Sequence, residues 1–282
     1  MSDCLQWYAD NSELKGLNIS NIPTVLLFGG IIVLKEHENT LKDKIEKIKA
    51  KYGDARAPVK WNFRDLKRVY EQQGQNQLYE RMLGTSKLWR EEIFNSIEAC
   101  DFCVIVSVIE SYSSDRDVIG KNKDKLSQYV FSNSLMRFGL HVQELRPKKA
   151  EVILDWPDKG ISKPFDLEFA SAYNKGSTCS KSATYKCGQL KKLGFSDHLL
   201  YSNMNHSTLL QLSDLVVGAT REFIIYTLDQ KGNSFGIECL KRIKHRFRGY
   251  PKYIYGRGIN VSSGNPILVR KLKDSIKEFF RD

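Results

Sequence analysis

The hydrophobic pattern of the chain alternates between short apolar runs and longer segments with helical spacing. Runs of strand length occupy residues 5–10, 24–34, 102–109, 151–156 and 199–203. Helical spacing covers residues 38–51, 77–99, 125–144, 165–174 and 207–228, and a basic helix is predicted over 267–281. The first two strands form a predicted hairpin, and helices and strands alternate after it. This order predicts an α/β fold with a mixed sheet covered by helices.

Three aspartates stand in apolar surroundings and are the most informative polar residues of the chain. Asp10 ends the first predicted strand, Asp155 ends the fourth, and Asp214 interrupts the helix over 207–228. A carboxylate in such a place costs desolvation free energy unless something compensates it. One bound divalent cation compensates several carboxylates at once. The three residues are therefore candidate catalytic residues and ligands of Mg²⁺ or Mn²⁺, which prefer oxygen donors.

The helix over 207–228 carries a narrow stripe of polar or small residues. At about 100° per residue, the stripe comprises Ser207, Gln211, Asp214, Gly218 and Glu222. Ser207 suits the N-cap position. Gly218 costs about 1 kcal/mol against Ala inside a helix, which indicates close approach by a neighbouring backbone or a ligand. The alternative is an ordinary amphipathic helix whose stripe faces solvent.

Length and composition favour one compact domain. The chain has 282 residues, of which 41% are hydrophobic and 27% charged. Its apolar runs stay short of the roughly 20 residues that span a membrane, and its first residues lack a signal-type pattern. We expect a cytoplasmic protein without a membrane partner, and its six cysteines as reduced thiols. The sequence contains no P-loop, G-x-S-x-G or H-E-x-x-H motif, which argues against the corresponding enzyme classes.

Positive charge is concentrated near the C-terminus. The formal net charge is +11, and the stretch from Cys239 to Lys273 contains ten Lys or Arg and no Asp or Glu. Cations that neutralise phosphates, interleaved with rings that stack on bases, favour binding of RNA, DNA or a hybrid. The alternative is a solvated basic surface whose aromatic stems pack on the core. The predicted nucleic-acid-binding residues are Lys241, Arg242, Lys244, Arg246, Arg248, Lys252, Arg257 and Tyr253.

Three segments together resemble a bacterial and phage domain-of-unknown-function family, the one numbered 3800. Asp10-Asn11-Ser12-Glu13 follows the first strand, Leu27-Phe28-Gly29-Gly30-Ile31 lies in the second, and Leu209-Leu210-Gln211-Leu212-Ser213-Asp214-Leu215-Val216-Val217-Gly218 opens the late helix. The family typically shows a D-E-S-G strand end, a G-G second strand and an L-Q-L-A-D-L-V-A-G helix. The late helix is the most specific match, and the resemblance covers about residues 5–228.

The resemblance implies an RNase H-like domain over residues 1–230, with residues 231–282 as a basic C-terminal extension packed on it. It implies a metal-dependent nuclease, and it suggests a setting in phage defence or a mobile element. By similarity, Asp10, Asp155 and Asp214 are the strand and helix carboxylates of its site. A fourth acid is usual in such sites, and here the corresponding segment offers Asn62 or Asp65, with Asp158 and Glu222 in reserve.

Several readings stay open beside the nuclease. A chain that lacks the fourth acid could bind nucleic acid without cleaving it, and the same fold could serve as an interaction or toxin-like scaffold. His198 and His206 precede the late helix, so that one of them could relay protons. The acid-free stretch Gly176–Lys192 is either a lid over the substrate or a plain surface loop.

Overall fold

The computed structural model describes residues 4–12, 25–110, 116–156, 162–229 and 234–281. Within them a six-stranded mixed sheet is flanked by helices on both faces, which confirms the predicted α/β class. The strands are β1 (Cys4–Ser12), β2 (Val25–Leu34), β3 (Cys103–Glu110), β4 (Lys149–Asp155), β5 (Leu200–Ser202) and β6 (Ile259–Ser262).

The sheet order is β5-β4-β1-β2-β3-β6. β1, β2 and β3 pair antiparallel in sequence, so the predicted hairpin of the first two strands is confirmed. β4 pairs parallel with β1, β5 pairs parallel with β4, and β6 pairs parallel with β3. The ends of β1, β4 and β5 therefore lie at the same edge of the sheet, which brings polar residues after these strands together.

The sheet separates two hydrophobic cores, and successive residues of each strand enter opposite ones. In β2, Leu27 and Ile31 belong to one core, and Phe28 and Ile32 belong to the other. Because both faces are covered, all of β2 but its last residue is buried. A strand buried on both faces reads as a continuous apolar run, which is why β2 was visible in the sequence.

Nine helices are described in these ranges, and most lie where the hydrophobic spacing predicts them. They are α1 (Glu38–Tyr52), α2 (Lys67–Gln72), α3 (Asn76–Gly84), α4 (Ser86–Ile97), α5 (Arg116–Leu145), α6 (Lys163–Lys175), α7 (Thr208–Asp229), α8 (Ser234–Ile243) and α9 (Pro266–Phe279). The single helix predicted over 77–99 is two helices that meet at Thr85, and the sequence analysis missed α2 and α8. None of the described helices is long and apolar enough to cross a membrane.

The C-terminal segment is built into the main body of the fold. β6 forms one edge of the sheet, and Phe247 makes an isolated bridge with Val104 of β3. Phe247, Leu272 and Phe280 are buried in the same core as α7. Neither α8 nor β6 was predicted between residues 232 and 264; β6 is short, and its pairing partner β3 is distant in sequence.

Candidate active site

Strand pairing places Asp10 beside Asp155. Ala9 is the register partner of Leu154 in the parallel pair β1–β4, so Asp10 and Asp155 are the next residues on adjacent strands. Adjacent strands lie about 4.8 Å apart. Tyr8 and Ile153, two residues before the aspartates, both enter the core that contains α7. By strand alternation both carboxylates point to that face.

A close approach of α7 to the sheet brings Asp214 to the same place. The hydroxyl of Ser213 donates a hydrogen bond to the carbonyl of Tyr8, with an O–O distance of 2.7 Å. Gly30 is the partner of Ala9, and a Cβ on it would lie 2.8 Å from the Ser213 Oγ and 2.1 Å from the Tyr8 carbonyl oxygen. The absence of a side chain at Gly30 therefore lets α7 dock directly over β1, next to Asp10.

The polar stripe of α7 contacts the segment around Trp61 and not solvent. The backbone N–H of Trp61 donates to Asp214 Oδ2 at 2.5 Å, and its indole Nε1 donates to Glu222 at 2.9 Å. A Cβ on Gly218 would lie 2.1 Å from Cγ of Trp61, so the ring occupies the gap that the glycine leaves. Gln211, 1% exposed, accepts a hydrogen bond from the buried Lys49. The solvent-facing alternative for this stripe is therefore wrong.

Each carboxylate is oriented through one of its oxygens by backbone N–H groups. Asn11 N–H donates to Asp10 Oδ1 at 2.7 Å, and Trp156 and Met204 N–H donate to Asp155 Oδ1 at 3.0 and 2.8 Å. Asp214 uses Oδ2 in the same way. The second oxygens of Asp10 and Asp214 accept no hydrogen bond from any described residue. The backbone therefore positions Asp10 and Asp214, while each keeps one oxygen that can accept a further ligand.

The three carboxylates repel one another in a buried environment. Burial raises the pKa of Asp10 well above its ordinary value, and the charges of Asp214 and Asp155 raise it further. Burial also raises the pKa of Asp214, an effect that Lys60 and the Trp61 N–H oppose and Asp155 reinforces. The ionised cluster is thus destabilised, and a cation bound between the carboxylates would relieve the repulsion.

Four of the predicted acids line one cavity of about 340 Å³ where β1 and β4 end, namely Asp10, Asp65, Asp155 and Asp214. Asp65 reaches it from a short 3-10 turn and accepts a hydrogen bond from Asn62 at 2.9 Å. Lys60, Trp61, Trp156 and Arg221 also line it. In the described part of the chain, no group of three or more His, Cys, Asp or Glu is placed so as to hold a metal ion. The acids share a cavity without forming a preassembled ligand cluster.

Other predicted candidates lie elsewhere or serve a structural purpose. Glu222 holds the Trp61 indole and the Gly236 N–H, and neither His198 nor His206 lines the acidic cavity. Asp158 lies outside the described residues. In the Gly176–Lys192 stretch, Tyr185, Cys187 and Leu190 are buried in the core that includes residues of α5 and α6, and no residue of the stretch lines the acidic cavity.

Much of the predicted nucleic-acid-binding set is engaged within the molecule. Arg248 is 7% exposed and makes two hydrogen bonds to Glu144, and Arg257 and Lys241 form ion pairs with Glu144 and Glu238. Arg246 caps the carbonyl of Glu98 and pairs with Asp101, and Lys244 donates to the Arg281 carbonyl. Arg246 and Arg248 lie beside the first residues of β3, whereas the acidic cavity lies where β1 and β4 end. Nucleic-acid binding by this segment stays a prediction.

Sequence analysis missed the residues that support the carboxylates. Lys60 and Trp61 come from the loop after α1, and Arg90 of α4 donates to both of their carbonyls, at 3.3 and 2.6 Å. Nothing in their local sequence pattern marks them. Arg221 could have been found, because it follows Asp214 by seven residues and therefore shares its face of α7.

Comparison of the chain with protein-family models, with curated proteins and with solved structures finds no match. The resemblance drawn from the sequence motifs therefore stays a prediction, and the functional argument depends on the cavity itself.

Proposed function

We propose that the chain is a metal-dependent nuclease that hydrolyses phosphodiester bonds of RNA or DNA, on an RNase H-like fold. The observation that carries the proposal is the convergence of Asp10, Asp155 and Asp214 from two strands and one helix on a single cavity. A role in phage defence or a mobile element is suggested by the motif resemblance alone.

The donor chemistry of the cavity fits Mg²⁺ or Mn²⁺. Both ions prefer carboxylate oxygens, and Asp10 and Asp214 each keep one oxygen without a partner among the described residues. Asp10, Asp155 and Asp214 would hold the metal, and Asp65 lies at the cavity wall as a fourth acid. When bound, the metal would activate a water and stabilise the leaving oxygen of a phosphodiester.

The residues of the chain have separate tasks in this proposal. Backbone N–H groups of Asn11, Trp156 and Trp61 fix the three carboxylates in orientation. Burial and the charges of Asp214 and Asp155 raise the pKa of Asp10, so a bound cation would favour its ionised form. Arg90 holds the Lys60–Trp61 backbone, so that the N–H contact to Asp214 is maintained. Preorganisation of this kind lowers the cost of assembling charge at a reaction centre.

A second candidate is a module that binds nucleic acid without cleaving it. It is favoured by one observation, that the described acids do not form a preassembled cluster of three ligands. In that case Lys60, whose charge lowers the pKa of both Asp10 and Asp214, would stand in for a metal as the balancing cation.

The test is cleavage of labelled RNA, DNA and hybrid duplexes in Mg²⁺ or Mn²⁺ by wild type, Asp10→Asn and Asp214→Asn. Asn keeps an oxygen that accepts the backbone N–H but removes the charge. Asp274→Asn is the matched control, because Asp274 is 67% exposed on α9. We expect cleavage by wild type and the control, abolished by chelator and in both site variants. Calorimetric Mn²⁺ binding should be lost in the same two variants.

Absence of cleavage by wild type, together with absence of Mn²⁺ binding, would contradict the nuclease and favour the second candidate. Cleavage that survives Asp214→Asn would contradict the assigned site and leave the activity to be explained by other residues.

A further inference from the structure

Two cations line the acidic cavity without pairing with its acids. Lys60 and Arg221 are both cavity-lining residues, yet neither forms an ion pair with any described residue. Lys60 is near enough to lower the pKa of Asp10 and Asp214. Cations that line a cavity without forming ion pairs suit an anionic ligand.

Arg221 lies on the same face of α7 as Asp214 and lines the same cavity. It follows Asp214 by seven residues, which is two helical turns and about 10 Å along the axis. Helical side chains lean toward the helix N-terminus, so the Arg221 side chain leans toward Gly218 and Asp214. Its Nε is buried without a hydrogen-bond partner. Such a group costs free energy until a ligand satisfies it, and a phosphate matches the fork of donors on a guanidinium.

Two other arginines of the chain have structural roles, and their hydrogen bonds can be compared with those of Arg221. Arg90 and Arg137 also bury an unpartnered Nε. Their terminal nitrogens, however, donate to the Trp61 carbonyl at 2.6 Å and to Asn260 at 2.9 Å. Arg221 makes no hydrogen bond to any described residue. Of the three, it is the arginine whose donors remain available in a cavity.

An exposed aromatic ring completes the wall beside Asp155. Trp156 lines the cavity and is 63% exposed. Its backbone N–H is shared between Asp155 Oδ1 and the Ser202 carbonyl, at 3.0 and 2.9 Å, and its ring meets Tyr201 edge-on at 5.9 Å. The backbone of Trp156 is thus held in place, while the face of its ring is exposed to solvent. Trp61, by contrast, stacks on Phe235 and fills the gap over Gly218.

We propose that Lys60 and Arg221 bind phosphates of the substrate and that Trp156 stacks on one of its bases, so that the site takes a single nucleic-acid strand. This inference rests on the proposed function and names its substrate class. A ring stacks on bases that are splayed out of a helix, and the bases of a duplex are already stacked on each other. The cations bind any strand, whereas the ring discriminates a single strand from a duplex.

The test measures binding and does not depend on cleavage. In an Asp214→Asn background with chelator, the affinity for a labelled single strand and for the matching duplex is measured by fluorescence anisotropy across a series of NaCl concentrations. Each lost phosphate contact should reduce the slope of log affinity against log salt by about 0.7 for a single strand. We expect that reduction in Lys60→Met and Arg221→Met, with partial recovery in Arg221→Lys.

Two further variants separate charge from stacking. Trp156→Ala should weaken single-strand binding roughly ten-fold with an unchanged salt slope and unchanged duplex affinity. Arg146→Met removes the same charge from an exposed residue just before β4, at the opposite end of that strand from Asp155, and it should leave the slope unaltered. Circular dichroism melts verify that each variant is folded.

The outcomes distinguish this inference from the nuclease proposal. Equal affinity for duplex and single strand, an unaltered slope in Arg221→Met, or no binding of any oligonucleotide would overturn the inference. Cleavage by wild type together with any of these results would leave the nuclease standing and reject the single-strand site. Selective binding of the single strand, without cleavage by wild type, would support the single-strand site and contradict the nuclease.

Discussion

The acidic cavity and the basic C-terminal segment are two charged regions of the chain, and their charges are satisfied to different degrees. In the basic segment, Arg248 is buried against Glu144, and Arg246 is bonded to the Glu98 carbonyl. In the cavity, Asp10 and Asp214 repel each other, and Lys60 and Arg221 stay without ion pairs among the described residues. The basic segment stood out in the sequence by its charge density and the aspartates by their apolar surroundings, but the charges without partners are in the cavity, which is where we propose that a ligand binds.

The largest expected effect separates the two regions by activity. Asp10→Asn should reduce metal-dependent cleavage at least about 100-fold. Asp10 is a proposed metal ligand, and removal of even an outer-shell partner of such a ligand can cause a loss of that size. A combined Lys241→Gln, Arg242→Gln and Lys252→Gln variant, which changes exposed residues, should retain the cleavage rate at saturating substrate. Single-turnover kinetics at low and high substrate provides the measurement. A basic-segment variant that loses the saturated rate would break the comparison.

The next effect concerns stability and tests whether the basic segment has a structural role. Arg248→Met removes two hydrogen bonds to Glu144 and one to the Arg137 carbonyl, and we expect a loss of about 2 kcal/mol in the free energy of unfolding. Lys252→Met, at an exposed position without a described partner, should stay within about 0.5 kcal/mol. Urea denaturation measures both. Equal stability of the two variants would mean that the arginine's contacts contribute little.

A third substitution tests how the cavity is supported. Gly218→Ala would place a methyl group 2.1 Å from the Trp61 ring, and overpacking of this kind costs about 1–3 kcal/mol. The displaced Trp61 would also lose its hydrogen bond to Asp214, so cleavage should fall in step with stability. Gly84→Ala is the matched control, because nothing lies within 4 Å of a Cβ there. Wild-type stability and cleavage in Gly218→Ala would show that Trp61 does not position Asp214.

The smallest expected effect is the pH dependence of stability that Asp10 contributes. The pKa of Asp10 is raised above the unfolded value of 3.8, so the folded state binds its proton more tightly than the unfolded state does. This contribution to stability is present at low pH and is lost as the pH rises through the folded-state pKa. In metal-free buffer, Asp10→Asn should therefore be more stable than wild type at pH 7 and lose that advantage toward pH 4.

Thermal melts across this pH range provide the check, and added Mg²⁺ should stabilise wild type selectively. A pH profile of stability that Asp10→Asn leaves unchanged would mean that the buried carboxylate is balanced by groups other than a ligand.

Sequence reasoning identified the strands and helices that bear the acids, because their hydrophobic patterns follow directly from burial. β2 was readable as a long apolar run since both of its faces are covered, and α7 was readable from its almost wholly apolar circumference. The break of the predicted 77–99 helix at Thr85 was missed, although Gly84, a residue that often ends helices, lies immediately before it. β6 was invisible, since a four-residue strand exists only through its partner β3.

By itself, the sequence determined that Asp10, Asp155 and Asp214 occupy places where an uncompensated carboxylate is costly, and that an α/β sheet carries them. Only the tertiary structure decided that they line one cavity, because the β1–β4 register and the docking of α7 on Gly30 connect residues more than a hundred positions apart. It also decided which cations have partners, since ion pairing depends on distance in space. The hydrophobic pattern of a chain indicates which residues are buried, whereas the convergence of charges depends on how distant segments pack.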